Sequence, residues 1–486
     1  MRGHHLFCLL GAALLVFSGG AEGAETSELI FEDGFGSGDL WGWNQMVDGS
    51  PNVGPCPCEY PFRGSTFFVD PLIGSNLSGD GSVGDPWASI QHVVDSKVDC
   101  SDQYGTPQNP GAPINGGDRI VLVGATGHDP KLEITGCYNS AWVTIAAQTR
   151  LQPVLESVHF RGSGFWRLDG LSFINSSAGT MLRVEDHGTQ GPARNIHIVN
   201  SHFTSGQLPA IQDWPDHVSD GMRLYSDDGP VVARCNEMVR VAMGFVAGGS
   251  HIDLIGNRVE FFSRDGIATG GHFNRFIGNR IYDSVKLGDG HHDDFFQSHM
   301  GANPDISSDV EITGNIFMNR YTSNQPAGSL GPTQCLSGFE DGPKQRLRIT
   351  NNLCKGDHWH GITWYDTNNS VVVNNTVLGG SDYPGLPPGS EGWPTRTWIS
   401  VEGTGNTIRN NITSRNLSGG DHNIEIQPED DVDLVFRNWL GLDFSLAPGS
   451  PAIDTGNPDG ATTHDIIGEE RDNDPDVGAY EYDGTP

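Results

Sequence analysis

An asparagine preceded by glycine or by another asparagine, and set between β-branched residues, keeps returning along this chain. It stands in HIDLIGNRVEFF, HFNRFIGNRIYD, DVEITGNIFMN, RLRITNNLCKG, SVVVNNTVLGG and NTIRNNITSR. Aligned on that residue the series runs Asn200, Asn236, Asn257, Asn279, Asn315, Asn352, Asn375 and Asn411. The short intervals are 21, 22 and 23 residues and the others 36 or 37. A period of this size is one coil of a solenoid, with some coils carrying a loop of roughly 14 more residues. The blades of a β-propeller need about 40 or more residues each, which the short intervals do not supply.

The runs around each asparagine are too short for helices, rich in Ile, Val and Thr, and punctuated by Gly and Asn. Asparagine tolerates the left-handed conformation of a tight corner, and its amide can bond the asparagine above and below. Stacked in register, the flanking apolar residues fill an interior that no single coil could bury alone. The expected fold is all-β: a right-handed parallel β-helix with loop insertions on one side.

At 486 residues the chain exceeds one ordinary core, but a solenoid grows without dividing. Lys plus Arg number 28 against 61 Asp plus Glu, a formal charge of −33, which argues against nucleic acid as a partner. Such acidity fits an exported protein, one able to hold calcium. Residues 1–23 read as a secretory signal, with Arg2 ahead of the apolar LFCLLGAALLVF and a small-residue cleavage site. A membrane anchor would need a longer apolar run, so a secreted monomer without a membrane span is expected. A Gly- and Pro-rich linker is assigned to 24–63, the β-helix to 64–448 and a C-terminal tail to 449–486. Cys8 leaves with the signal. Of the seven remaining cysteines, Cys100–Cys137 and Cys335–Cys354 are plausible disulfides, with Cys56, Cys58 and Cys235 left open.

The stretch TFFVDPLIGSNLSGDGSVGDPWASIQHVVD reads as a strand, a turn and an amphipathic helix around Trp87 to Val94. It resembles the N-terminal cap of pectate-lyase-like β-helix proteins. The ending SPAIDTGNP…DIIGEERDNDPDVGAYEY resembles the GAYE-type tail of exported bacterial β-helix proteins. Both resemblances imply the same scaffold, which hosts lyases, hydrolases, epimerases and adhesins, so the chemistry must be argued from the site.

On the apolar register Asp220, Asp265, Asp294 and His360 occupy equivalent places, with Ser263, His292 and His358 two residues before the last three of them. Coils lie about 4.8 Å apart, so such a row lines a groove suited to a polysaccharide. The GDGHHDD cluster is costly to assemble unless its members pair, bind a cation or do chemistry. In a β-elimination on a uronic-acid polymer, His292 or His358 is the natural base and Lys286 the alternative. Tyr365 or His360 protonates the leaving oxygen, Asp265, Asp293 and Asp294 hold Ca2+, and Arg320, Lys355, Trp364 and Gln297 contact the sugar. For hydrolysis, Asp293-Asp294 followed by His360-Gly361 resembles the Asp-Asp and His-Gly elements of β-helix polygalacturonases, which would make Asp294 catalytic. The match departs in that the His-Gly pair lies two coils on and the Arg-Ile-Lys element is missing. C5-epimerases carry an Asp-Pro-His-Asp motif that GDGHHDD meets only in part. A carbohydrate-binding surface protein would explain the acidity and the tail, but it has no need of clustered histidines. The leading expectation is a polysaccharide lyase, with a polygalacturonase-like hydrolase second.

Overall fold

The computed structural model describes Cys56, Tyr60 and residues 62–207, 214–298, 307–319, 332–339, 342–356, 358–379, 397–417, 419–426 and 432–484. The proposed signal, most of the linker, Cys58 and Arg320 lie outside them. Three long sheets, of 12, 11 and 11 strands, run through the described residues, and every pairing within them is parallel. The coil Ile252–Ile255, Arg258–Phe262, Asp265–Thr269 shows the plan, giving one strand to each sheet in turn. This is a right-handed parallel β-helix. Leu254, Phe276, Ile312, Ile349, Val372 and Ile408 pair from coil to coil and are buried, so one file of side chains threads the interior.

The asparagine corner divides its two tasks between consecutive residues. The left-handed position is the first of the pair: Asn200 (φ 54°), Cys235 (55°), Gly256 (60°), Gly278 (63°), Gly314 (67°), Asn351 (54°), Asn374 (57°) and Asn410 (55°). The second residue turns inward and forms the ladder. The carboxamide oxygen of Asn257 accepts from the backbone N–H and the side-chain amide of Asn236, both at 3.0 Å. The same double bond recurs through Asn279, Asn315, Asn352, Asn375 and Asn411 to Asn423. Asn200 therefore belongs one place earlier than aligned: Ser201 holds the ladder position and donates its N–H to Asn236 at 3.0 Å.

At the N-terminal end Ser89 caps the helix Ile90–Ser96, and Trp87, Ile90 and Val93 are buried in the main core. From Val432 onward the chain packs over the second sheet, where Phe436, Phe444, Ile466 and Val477 share a buried cluster with Tyr282, Met318, Leu353 and Leu378. The three corners beside this tail carry Asn rather than Gly. Asn351, Asn374 and Asn410 donate their amides to the carbonyls of His464 (2.7 Å), Asp476 (3.1 Å) and Asn457 (2.9 Å).

Cys100–Cys137 and Cys335–Cys354 are paired, and Cys56 is bonded to Cys235 across a separation of 179 residues. Replacing Cys335 and Cys354 by serine, which opens a 19-residue separation, is expected to lower the unfolding free energy. The loop-entropy cost is about 3 kcal/mol, read as a shift in denaturant midpoint.

Candidate active site

The third sheet brings the expected row together. Asp265 pairs with Asp294, Asp294 with Gln334, and His360 with Trp398. Glycine follows Asp265 and His360 because the wall behind leaves no room for a side chain. A Cβ at Gly266 would lie 2.2 Å from Ile281, and one at Gly361 2.4 Å from Val377. Asp293 lies just before the strand Asp294–Ser298, outside strict alternation, so it and Asp294 both sense the charge of Lys286.

All three carboxyls are buried: Asp294 is 0%, Asp293 1% and Asp265 7% exposed. Burial raises Asp265 to about 7, opposed by the N–H that Asp294 donates to it at 3.2 Å. Burial likewise raises Asp293 to about 7, although Lys286 Nζ sits 3.2 Å from its Oδ1. Asp294 is pushed upward by burial and then by the neighbouring Asp265, against a 2.7 Å hydrogen bond from the Ser337 hydroxyl. Lys286 also donates to the His291 carbonyl at 3.3 Å, which ties its amine to the protein rather than to a substrate proton.

The histidines divide by environment. His292 is exposed. His358 is held down to about 3 and His360 to about 4, chiefly by burial. His358 Nδ1 accepts the backbone N–H of His360 at 3.2 Å, so the neutral ring carries its proton on Nε2 and is a donor there. The two rings stack 4.9 Å apart, and Phe339 meets His360 at 4.6 Å and Tyr365 at 5.4 Å. Trp359 stacks on Trp398 at 6.2 Å, which extends the aromatic wall.

Beside this row opens a cavity of about 390 Å³ lined by Arg223, Arg264, Asp265, His292, Gln297 and Phe339, among others. Arg223 is anchored by Asp220, with Nε 2.8 Å from Oδ2, while Arg264 is exposed. Neither arginine stands out in the sequence. The available signal was adjacency, Arg223 three residues after Asp220 and Arg264 immediately before Asp265.

Two expected substrate contacts lie elsewhere. Trp364 shares strand parity with inward-facing Ile362, is 1% exposed, and packs 6.4 Å from Phe296 in the interior. His360 escapes that parity through a register shift between it and Ile362. Lys355 belongs to the second sheet, is 1% exposed, and lies 4.9 Å over the Trp439 ring beneath the tail. As for calcium, no three ligand-type side chains among the described residues converge to hold a metal ion. Lys286 meets Asp293 Oδ1 and the Ser337 hydroxyl donates to Asp294 Oδ2, while Asp293 Oδ2 and Asp294 Oδ1 are buried without a hydrogen-bond partner. No step below runs through a metal.

The raised carboxyls make a testable pH signature. Between pH ~4 and ~7 folded Asp265 binds more proton than its unfolded form, so its contribution to stability falls as pH rises through that window. His358 and His360 work in the opposite sense: unfolded, they bind more proton below pH ~6.5, so their contribution rises with pH. The intact protein therefore partly masks both trends. Asp265→Asn removes only the first, and its melting temperature is expected to gain on the wild type from pH 4 to 7 and then level off. A constant difference across that range would contradict the burial argument.

Fold and site together define a parallel β-helix protein with a histidine- and carboxyl-rich cleft on its third sheet. Among solved structures the chain is similar to pectate lyase Pel9A, at 16% identity and TM-score 0.46, over 86% of this chain and 97% of that one. It is also similar to the PL6 family alginate lyase AlyGC (13%, TM-score 0.31, 66% and 48% covered). PfbA, a surface adhesin of Streptococcus pneumoniae, is a third (14%, TM-score 0.34, 60% and 66%). No family profile and no curated protein sequence matches the chain. No helix among the described residues is long and apolar enough to cross a membrane.

Proposed function

We propose that this is an exported polysaccharide lyase acting by β-elimination on a uronic-acid polymer. The observation that carries the reading is the cavity, where two arginines face the same space as an exposed imidazole and a carboxyl raised to about 7, in a chain of net charge −33. Cations placed there against the general charge of the molecule suit a carboxylate ligand. Arg223 and Arg264 hold the uronate carboxylate and offset the charge that develops when the C5 proton leaves. His292 takes that proton. The C4=C5 double bond forms as the C4–O bond breaks, and the departing oxygen receives a proton from Tyr365, across Phe339. His358, neutral and donating from Nε2, and Gln297 orient the sugar.

A second reading has its own support. Asp265 and Asp294 are adjacent carboxyls that resist ionising together, an arrangement hydrolases use to keep one acid protonated. Incubation with polygalacturonate and alginate separates the readings. Elimination produces ultraviolet absorbance from the unsaturated product, hydrolysis produces reducing ends without it, and a binding protein produces neither. Activity that survives dialysis against EDTA is expected, since arginine rather than calcium carries the charge; loss restored by calcium would reverse that assignment.

A further inference from the structure

Outside the cavity, the third sheet continues toward the N-terminal coils, and its outer face there is cationic. Register stacks Arg183 directly beneath Arg223, and Arg161 beneath Glu185, which lies beneath Tyr225. The Arg161, Arg183 and Arg223 side chains are 35%, 45% and 34% exposed. Glu185 sits among the first two, 3.4 Å from Arg161 and 2.5 Å from Arg183, with His159 at 2.8 Å. Toward the C-terminal coils, the same sheet offers the aromatic pair Trp359 and Trp398 instead. The groove is thus charged on one side of the cavity and aromatic on the other.

We propose that Arg183 and Arg161 form an extended subsite for further carboxylates of the polymer, which lies along the helix axis with its acidic residues toward the N-terminal coils. The proposal rests on the lyase reading above and adds where the rest of the substrate goes. Coils repeat about every 4.8 Å, so arginines one and two coils from Arg223 meet successive carboxylates along an extended chain. Glu185 occupies both arginines when no polymer is bound and is a carboxylate itself, so it competes with the polymer for the same guanidinium groups. A purely structural ion-pair network would be weakened by losing either partner. A binding subsite shielded by Glu185 responds with opposite signs.

The test is native affinity electrophoresis of the full-length protein through gels containing polygalacturonate or alginate, with dextran as the neutral control, alongside cleavage kinetics. Arg161→Ala/Arg183→Ala is expected to bind the retarding polyuronate about tenfold more weakly and to raise KM with kcat unchanged. Glu185→Gln is expected to bind more tightly than wild type, and Arg161→Lys/Arg183→Lys to recover part of the loss. Melting temperatures show that each variant is folded. Unchanged retardation of the double alanine variant, or weaker binding by Glu185→Gln, overturns the subsite while cleavage by the wild type leaves the lyase reading standing. A wild type that neither cleaves nor is retarded by either polyuronate overturns both.

Discussion

His292→Ala is expected to lower kcat/KM on the uronic-acid polymer by ~100-fold or more, the range a positioned general base supplies, with the melting temperature unchanged. His292 is exposed and lines the cavity, so its loss removes little packing. The competing bases are engaged elsewhere: Lys286 with Asp293, and His358 with the His360 amide. His292→Gln, which keeps a hydrogen-bonding group but cannot take up a proton near neutral pH, is expected to fall as far as alanine. A variant with wild-type turnover would remove His292 from the reaction and pass the base to Asp265, a cavity carboxyl raised to about 7.

The largest structural effect is expected from Asn279→Ala. This fully buried amide donates to the Leu254 carbonyl at 2.7 Å and to Asn315 at 3.0 Å, and accepts two bonds from Asn257, both at 3.0 Å. Alanine strands groups above and below it with no water to replace them. Each buried orphan costs about 1–3 kcal/mol, so the total is about 4 kcal/mol or more. Asn423→Ala, at the half-exposed end of the same ladder, is expected to cost about 1 kcal/mol because solvent restores the bonds. Equal denaturant midpoints for the two variants would show that the ladder is decoration rather than support.

The architecture was legible because the corner asparagines are spaced by coil length, a signal that survives long insertions. The one-residue misplacement of Asn200 came from assigning both corner tasks to one residue, when φ strain and amide bonding sit on neighbours. The stack of Asp265, Asp294 and His360 was legible through the glycine or phenylalanine that follows each. Trp364 and Lys355 are buried away from the cleft for different physical causes. Trp364 follows the alternation of Ile362 into the interior, beyond a register shift that leaves His360 outside it, and a tail more than 80 residues away in sequence covers Lys355. Arg223 and Arg264 carry no periodicity, so only folding reveals that they share a cavity. Cys56 finds Cys235 across 179 residues, a pairing no local spacing announces.

The amides of Asn351, Asn374 and Asn410 grip three separate points on the last stretch of the chain. Without that stretch, Met318, Leu353 and Leu378 on the second sheet would lose the side chains that cover them. A molecule truncated near residue 448 would keep the cleft of the third sheet but carry an uncovered apolar flank, and it is expected to aggregate more readily than the full chain.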